Sequence, residues 1–578
     1  MCSQFLTSGS VKRVGDAPVT LGVSAWIPNS SASLLLGDQY IGSMEEERFI
    51  GIKKVRTWPS RAIGELTRSA SISSNDIDKV VVNIDPKLFA TVSHDESYSQ
   101  SIIEQRETAC REAFHRWTSR INAVKEKYPY ASVVGIPHHE AHAMYAFLAS
   151  GYDQSAIVVL DSVGEVTASS VWLGSRAERN VIRNVWNSPD YSSIGYFYAS
   201  ITDHLGWMPN DEEGTVMALA ALGDPSRFRE TIKRLIRFVD GSIRVDYALL
   251  HPRVRRQRKG FTSRFHEIVS QRRMPGENIE QVHCDLAAAA QQRLEELVSE
   301  ICEFALKMTG QRKLVLTGGV AENCVANGAV MSLSDLDSIY VPAAPGDSGT
   351  ALGSALAAHP QALDISYHSI ADPFVGAVVK RAQLSNQFRL KWAGLSAVEL
   401  AGQLSEWLRA GEVIAIVEGR FEFGPRALGN RSLIASAGVP GIVEVLNSSV
   451  KKRESFRPFA PVVRLETFNK YFDTPRVDCD LSMMNFAIPA NRNTLGLRGV
   501  LHANGLVRVQ VVSEEKHPLL WHALLADERA GGTGVFINTS LNVKGQPLCG
   551  TPQLLLEFAN KSKVDKFIIN GSVYEFLG

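Results

Sequence analysis

The sequence lacks a net charge. Lys plus Arg and Asp plus Glu each number 61 among 578 residues. The cation excess of a nucleic-acid coat or a polybasic membrane binder is therefore missing. Cysteine is scarce: Cys2, Cys110, Cys284, Cys302, Cys324, Cys479 and Cys549 are odd in number, widely spaced and include no C-x-x-C. That excludes a disulfide framework and a zinc knuckle and points to reduced thiols. Long apolar runs are absent too. The least charged long stretch, Thr20 to Gly37, is interrupted by Pro28, Asn29 and several serines, a poor membrane span. Met1 to Asp16 is polar and lacks the apolar region of a signal peptide. No Walker A motif occurs, which argues against a P-loop NTPase. These absences predict a soluble, cytoplasmic protein with no membrane partner and no nucleic-acid partner. What is present is ordinary for a globular chain: 45% hydrophobic and 21% charged residues exclude disorder and fibrous rods, and the length implies several modules or two large domains.

The hydrophobic pattern predicts an α/β fold. Val19 to Ala25 and Ala32 to Leu36 read as strands, a turn falls at Gly37-Asp38, and Gln39 to Ile41 starts a return strand. The order recurs: Ala156 to Leu160 ends at Asp161, Ala168 to Leu173 reaches a turn at Gly174-Ser175, and Val181 to Trp186 follows. Two such units suggest an internal duplication of the actin-like, ribonuclease-H-like ATPase (ASKHA) kind. Helices are predicted over Ser99 to Tyr128, Pro137 to Ser150 and Val282 to Lys307. Lys313 to Thr317 and Ile339 to Val341 are strands, and Ser348 to Ala358 is a small-residue helix. Periodicity lapses from His359 to Pro373, placing a boundary that divides the chain into 1–362 and 363–578. The second part restarts with helix Ala397 to Ala410. Its strands are Val413 to Val417, Pro461 to Leu465, Leu506 to Val512, Val535 to Asn538 and Lys566 to Asn570.

Several residues could carry chemistry. In His138-His-Glu-Ala-His142, His138 and His142 stand four apart and share one helical face, so their imidazoles can converge on a divalent cation. His139 and His142 form a second pair at three apart. Asp161 ends a buried strand and Asp347 follows another, the place where ligands gather in α/β sheets. Two imidazoles and two carboxylates would suit iron, manganese or zinc. Gly318-Gly319 follows a strand and lets backbone approach a nucleotide, with Asn323 and Asn327 beyond. The run Phe423 to Arg431 combines glycines with Arg426 and Arg431. Lys451, Lys452, Arg453 and Arg457 come just before Pro458, which favours an anion pocket over a solvated face. Arg253 to Lys259 is the most basic stretch and reads as an exposed loop.

These pieces together resemble the nodulation-protein-U and cephem O-carbamoyltransferase family. The stretches that carry it include Glu45-Glu-Glu-Arg-Phe49, His138-His-Glu-Ala-His-Ala143, Val159-Leu-Asp161, Met217 to Ala221, Asp285 to Ala288 and Thr317-Gly-Gly-Val320. Gly424-Pro-Arg-Ala-Leu-Gly429, Arg453 to Pro461 and Asn538-Thr-Ser-Leu-Asn542 complete them. The resemblance spans nearly the whole chain. It implies an ASKHA-type transfer domain followed by a YrdC-like α/β domain that makes carbamoyl-adenylate from carbamoyl phosphate and ATP. A hydroxyl of a small natural product would then accept the carbamoyl group. It implies metal ligation by His138, His142, Asp161 and Asp347, with iron foremost and manganese or zinc as alternatives, and Mg-ATP as substrate. The adenylate-forming cations would be Arg426, Lys451 and Arg508, with Arg453 and Arg457 in the same run and Asn538 nearby; Gly318, Gly319 and Asn323 would border nucleotide. The acceptor proton would go to His139 or Asp211. Two segments depart from the family: Pro28 and Asn29 stand in place of a first-loop His-Asp pair, and Thr215 in place of a lysine. Other readings are a sugar-kinase-like phosphotransferase, a binding homologue without turnover and a tRNA-modifying enzyme. The assembly state, a homodimer included, stays open.

Overall fold

The computed structural model describes residues 17–255, 260–451 and 453–578. The leaderless reading of Met1 to Asp16, residues 256–259 of the basic run and Lys452 lie outside the described residues. Strands β1 (Val19–Ser24), β2 (Ser31–Leu36) and β3 (Gln39–Glu45) form an antiparallel meander. Gly37 makes its tight turn at φ 57°. β4 (Lys79–Val82) then pairs parallel with β1. After the long helix α1 (Gln100–Lys127), β5 (Ser132–Gly135) pairs parallel with β4. The resulting sheet has the order β3-β2-β1-β4-β5.

The second half repeats this scheme. Helix α2 (His138–Ser150) leads to the meander β6 (Gln154–Leu160), β7 (Thr167–Ser175) and β8 (Ile182–Pro189). The long helix α3 (Gln281–Thr309) precedes β9 (Lys313–Thr317) and β10 (Ser338–Tyr340), both parallel to β6. Two copies of one topology confirm the duplication read from the alternating hydrophobic runs. Helix α4 (Thr350–Ala357) closes the half.

α2 and α4 fill the space between the two sheets, and their small residues bring the backbones together. An added Cβ at Gly353 would lie 1.8 Å from the Ala141 carbonyl oxygen, and one at Gly22 of β1 would lie 2.0 Å from that of Ala351. The helix that carries the histidines is thus pressed onto α4, and α4 onto β1.

The C-terminal part is built on one mixed sheet. It comprises β11 (Phe388–Trp392), β12 (Ile414–Val417), β13 (Arg431–Ser436) and β14 (Ala460–Arg464), then β16 (Gln510–Val512), β17 (Phe536–Ser540), β18 (Lys566–Ile569) and β19 (Ser572–Phe576). The order is β11-β19-β18-β12-β13-β17-β14-β16, with α5 (Ala397–Arg409) and α6 (Pro518–Arg529) packed on one face. Strand β15 (Asp478–Cys479) leaves this unit and pairs parallel with β10, extending the second N-terminal sheet. Among the described residues no helix is long and apolar enough to cross a membrane, and the six described cysteines are unpaired.

Two details differ from the sequence reading. β7 runs on through Gly174 and Ser175, so the turn comes later. Gly174 is required because the Phe147 ring lies on it, 2.5 Å from where a Cβ would stand. The alternating run Leu506 to Val512 is not one strand. Leu506–Val507 pairs with Ile488–Pro489, and Gln510–Val512 joins the large sheet. The break releases Arg508 into a cavity.

Gly353→Ala should destabilise the protein by about 2–3 kcal/mol, because the clash is with backbone that has nowhere to go. Gly402→Ala, mid-helix in α5 with nothing within 4 Å of the new Cβ, should stabilise it by about 0.5–1 kcal/mol. Urea denaturation midpoints check both; shifts of the same sign would contradict this packing.

Candidate active site and metal centre

The histidine helix begins immediately after β5, and its first turn has no side-chain cap of its own, since Pro137 is the N-cap. Glu165, in the loop between β6 and β7, supplies one. Its carboxylate accepts from the His138 amide at 3.2 and 3.3 Å and from Asp85 N–H at 2.8 Å. Asp161 follows the last residue of β6, and Asp347 follows β10 across a short loop. The strand ends of both halves thus deliver their polar residues to one place.

There, His138, His142, Asp161 and Asp347 each present one ligand atom, all within 4.8 Å of one another. The two Nε2 atoms are 3.2 Å apart. His138 Nε2 lies 3.4 Å from Asp161 Oδ2 and 3.4 Å from Asp347 Oδ1, and His142 Nε2 lies 3.8 Å from the latter. Asn83, at the end of β4, orients the first ring: His138 Nδ1 approaches the Asn83 carbonyl at 3.3 Å. With that nitrogen donating, Nε2 carries a lone pair aimed into the cluster. Burial would depress His138, but Asp161 and Asp347 outweigh it and hold its pKa well above the ordinary value. Burial would likewise raise both carboxyls, yet the facing imidazoles hold them below the usual range. Two facing imidazole nitrogens and two carboxylates in a buried space form a mixed N/O donor set, and a divalent cation that displaces the His138 proton satisfies all four. The residues fit a transition metal.

The cluster opens onto a cavity of about 690 Å³. Its wall also carries Arg426, Arg453, Arg457, Arg508 and Asn538 from the C-terminal part, and Gly319, Asn323 and Asp211 from the N-terminal part. Arg426 donates to the Glu322 carbonyl at 2.7 Å, and Arg453 lies 4.3 Å over the Phe459 ring. The four guanidiniums crowd one another, with Glu454 beside Arg457 at 3.9 Å. The Nε atoms of Arg426 and Arg508 are buried without a partner. Burial, then the neighbouring guanidiniums, pushes Arg453 down to about 9 and Arg508 down to about 10. Crowded cations with orphaned donors fit a polyanion. Asn538 donates to Gln510 Oε1 at 2.7 Å. Asn323 caps the following helix and meets Gln291 at 2.9 Å. Asp211 is exposed, within electrostatic reach of Arg457.

Other expected site residues stand elsewhere. Gly318 is not on the cavity wall: at φ 92°, its Cβ would meet the Leu160 carbonyl oxygen at 2.2 Å, so strand contact requires it. Gly319 does reach the site and donates to Asp161 Oδ1 at 3.2 Å. His139 faces away from the cavity, its Nδ1 2.8 Å from Ser170 Oγ, and burial, then His138, pushes its pKa down to about 3. That geometry removes it from reach of an acceptor. Lys451 is buried behind the wall, donating to Ser540 Oγ at 2.9 Å, to Asn542 Oδ1 at 2.8 Å and to both carbonyls. It braces two wall residues rather than lining the wall. Arg431 is fully buried and ties four backbone carbonyls.

Pro28 and Asn29 line the cavity, whereas Thr215 is buried in a helix. Sequence reasoning missed Lys54. It lines the cavity at φ 52°, and although burial opposes its charge, Glu322, Glu47, Asp347 and Glu213 hold its pKa above the ordinary value. Asn83 and Glu165 were missed as well; the one local signal was a polar residue just past an apolar run.

A duplicated ribonuclease-H-like fold with a buried N/O cluster, opening beside an arginine-rich second α/β unit, defines a two-part architecture. The carbamoyltransferase N-terminus family model matches residues 19–356 and the carbamoyltransferase C-terminus model matches residues 405–575. Nodulation protein NolNO of Sinorhizobium fredii is 29% identical over 94% of this chain and 78% of its own length. Nodulation protein NolO of Bradyrhizobium diazoefficiens is 33% identical over 71% and 73%. The 3'-hydroxymethylcephem-O-carbamoyltransferase of Streptomyces clavuligerus is 30% identical over 63% and 65%. Among solved structures, HypF of T. kodakarensis aligns at 13% identity over 58% of this chain and 46% of its own, with a TM-score of 0.29, too low to carry an argument. The chain belongs to the carbamoyltransferase family.

His138→Ala should remove bound divalent metal, since it deletes one of two imidazoles and leaves two carboxylates without their nearest nitrogen. Elemental analysis of the purified variant checks it; metal content equal to wild type would contradict the site.

Proposed function

We propose that the protein is an ATP-dependent O-carbamoyltransferase working through carbamoyl-adenylate. In the first step carbamoyl phosphate, ATP and water give carbamoyl-AMP, phosphate and pyrophosphate. Arg426, Arg453, Arg457 and Arg508 hold the anionic substrates there, with Lys451 keeping Ser540 and Asn542 in place. In the second step an acceptor hydroxyl oxygen bonds to the carbamoyl carbon, and the bond to AMP breaks. The proton leaves to Asp211 or to solvent, since His139 is turned away. His138, His142, Asp161 and Asp347 would hold a metal, which supplies Lewis-acid polarisation when bound. Asn29 has no titratable group and positions the acceptor.

The observation that carries this reading is a single cavity lined by both the arginine cluster and the His/Asp centre. A carbamoyl-adenylate made at one end meets the other without entering bulk water, where it would hydrolyse.

The test is the product pair. Carbamoyl-phosphate-dependent release of AMP and pyrophosphate is expected; ADP would instead favour direct phosphoryl transfer. Arg426→Ala should cut AMP formation about 10²–10³-fold, the usual loss for a fixed cation in a preorganised site, with bound metal unchanged. A loss below about threefold would contradict the role of this cluster.

A further inference from the structure

The cavity has a second cationic wall that the scheme above leaves unused. Arg253 and Arg255 belong to the basic stretch that reads in sequence as an exposed loop, yet both line the cavity. Arg253 meets Asp190 at 3.3 Å, but the same carboxylate already binds Arg106 at 2.6 Å. Arg255 forms no salt bridge among the described residues. It donates to the Gly164 carbonyl at 2.6 Å and to that of Glu165, and it lies 4.6 Å over the Phe89 ring. Its Nε has no partner. Arg106 and Arg253 thus share one carboxylate, and Asp190 and Glu165 act on Arg255 only at a distance, without an ion-pair contact. Asp203 also reaches the cavity, but it is engaged by Arg272 at 2.9 Å. Burial, and then Arg253, pushes Arg255 down to about 10. Dehydrated positive charge of this kind is costly until an anion completes it.

The rest of this wall is aromatic. Trp26 and Tyr196 are half-buried on it, with Phe89 and Trp117 buried behind them; the Trp26 and Trp117 rings meet edge to face at 5.8 Å, with Arg120 over both. Trp26 is held at φ 61°, a strained conformation for a bulky residue and the kind found at functional walls. Gly164 and Glu165, which Arg255 grips, follow Asp161 in the same loop. The cations therefore enter the cavity beside a metal ligand.

We propose that this wall binds the acceptor, and that the acceptor is a hydroxyl compound with a flat apolar body bearing an oxyanion that Arg255 and Arg253 grip. The name acceptor rests on the carbamoyl-transfer reading above; the ligand chemistry does not. Arginine forks match carboxylate and phosphate alike, and the aromatic rings supply a face for the body.

Calorimetric titration of the protein as purified, with four probes on one scaffold, tests this. The probes are para-hydroxymethylbenzoate, para-hydroxymethylphenylphosphonate, para-hydroxymethylbenzamide and para-hydroxymethylbenzylamine. At least one oxyanion should bind about tenfold or more tighter than the amide, with the amine weakest and the preference shrinking at high salt. The carboxylate and phosphonate arms identify which oxyanion fits. Arg255→Gln should lose most of the preference, and Arg255→Lys should keep part of it. Amide or amine binding as tight as the better-bound oxyanion in wild type would overturn the proposal without recourse to any variant; so would an unchanged preference in Arg255→Gln. Carbamoyl-phosphate-dependent AMP formation by wild-type protein is read separately. Its absence would sink the carbamoyl reading, while the probe preference would still decide this one.

Discussion

Asp161 and Asp347 face two imidazoles whose Nε2 atoms point at each other 3.2 Å apart. Without a cation this arrangement sets carboxylate near carboxylate and ring nitrogen against ring nitrogen, away from water, with the proton that the carboxylates hold on His138 as their shared positive charge. It persists because the scaffold over-determines each member. Asn83 fixes the His138 ring, Glu165 caps the helix that presents it, and Gly319 donates to Asp161. Gly353 and Gly22 let α2, α4 and β1 approach until backbone meets backbone. The duplicated fold brings the strand ends of both halves to this point, and the centre is where they converge.

The same economy of charge shapes the cavity. Cations cluster on two walls, Arg426, Arg453, Arg457 and Arg508 on one and Arg253 and Arg255 on the other, while the carboxylates gather at the centre and around Lys54. Five non-glycine residues of the wall, Trp26, Asn29, Lys54, Asn210 and Met484, hold positive φ. Conformations of this kind cost about 1–3 kcal/mol each and are kept where the surroundings fix a functional geometry. Hydrogen bonds between the N- and C-terminal parts hold them around the cavity: the Gly424 amide donates to Glu45 at 2.7 Å, and Arg48 donates to the Gly424 carbonyl.

Much of this was legible in the sequence where the signal is local. The His138 and His142 spacing is helix geometry, Asp161 directly follows an apolar run, and the two meanders repeat their alternation. What was not legible depends on which way a side chain turns once distant elements meet. His139 is one residue from the His/Asp cluster and turns to Ser170; Lys451 sits in a cationic run and turns behind the wall; Gly318 is demanded by a strand contact, whereas Gly319 reaches Asp161. Arg253 and Arg255 look like a solvated loop until that loop is seen folded against the one that follows Asp161. Arg508 lies in a run whose clean alternation hides the break that frees it. Lys54 gains its role through Glu322 and Glu213, Asn83 through His138, and Glu165 through His138 and Asp85, partners that only the fold brings together.

The central proposal is that His138, His142, Asp161 and Asp347 hold one metal at the heart of the cavity. Anomalous diffraction from crystals of active protein, collected at the manganese, iron and zinc edges, tests it most directly. The account predicts a single peak about 2.0–2.3 Å from His138 Nε2, His142 Nε2 and one oxygen each of Asp161 and Asp347. Active crystals with no peak there, the four groups remaining in contact only with one another, would contradict it.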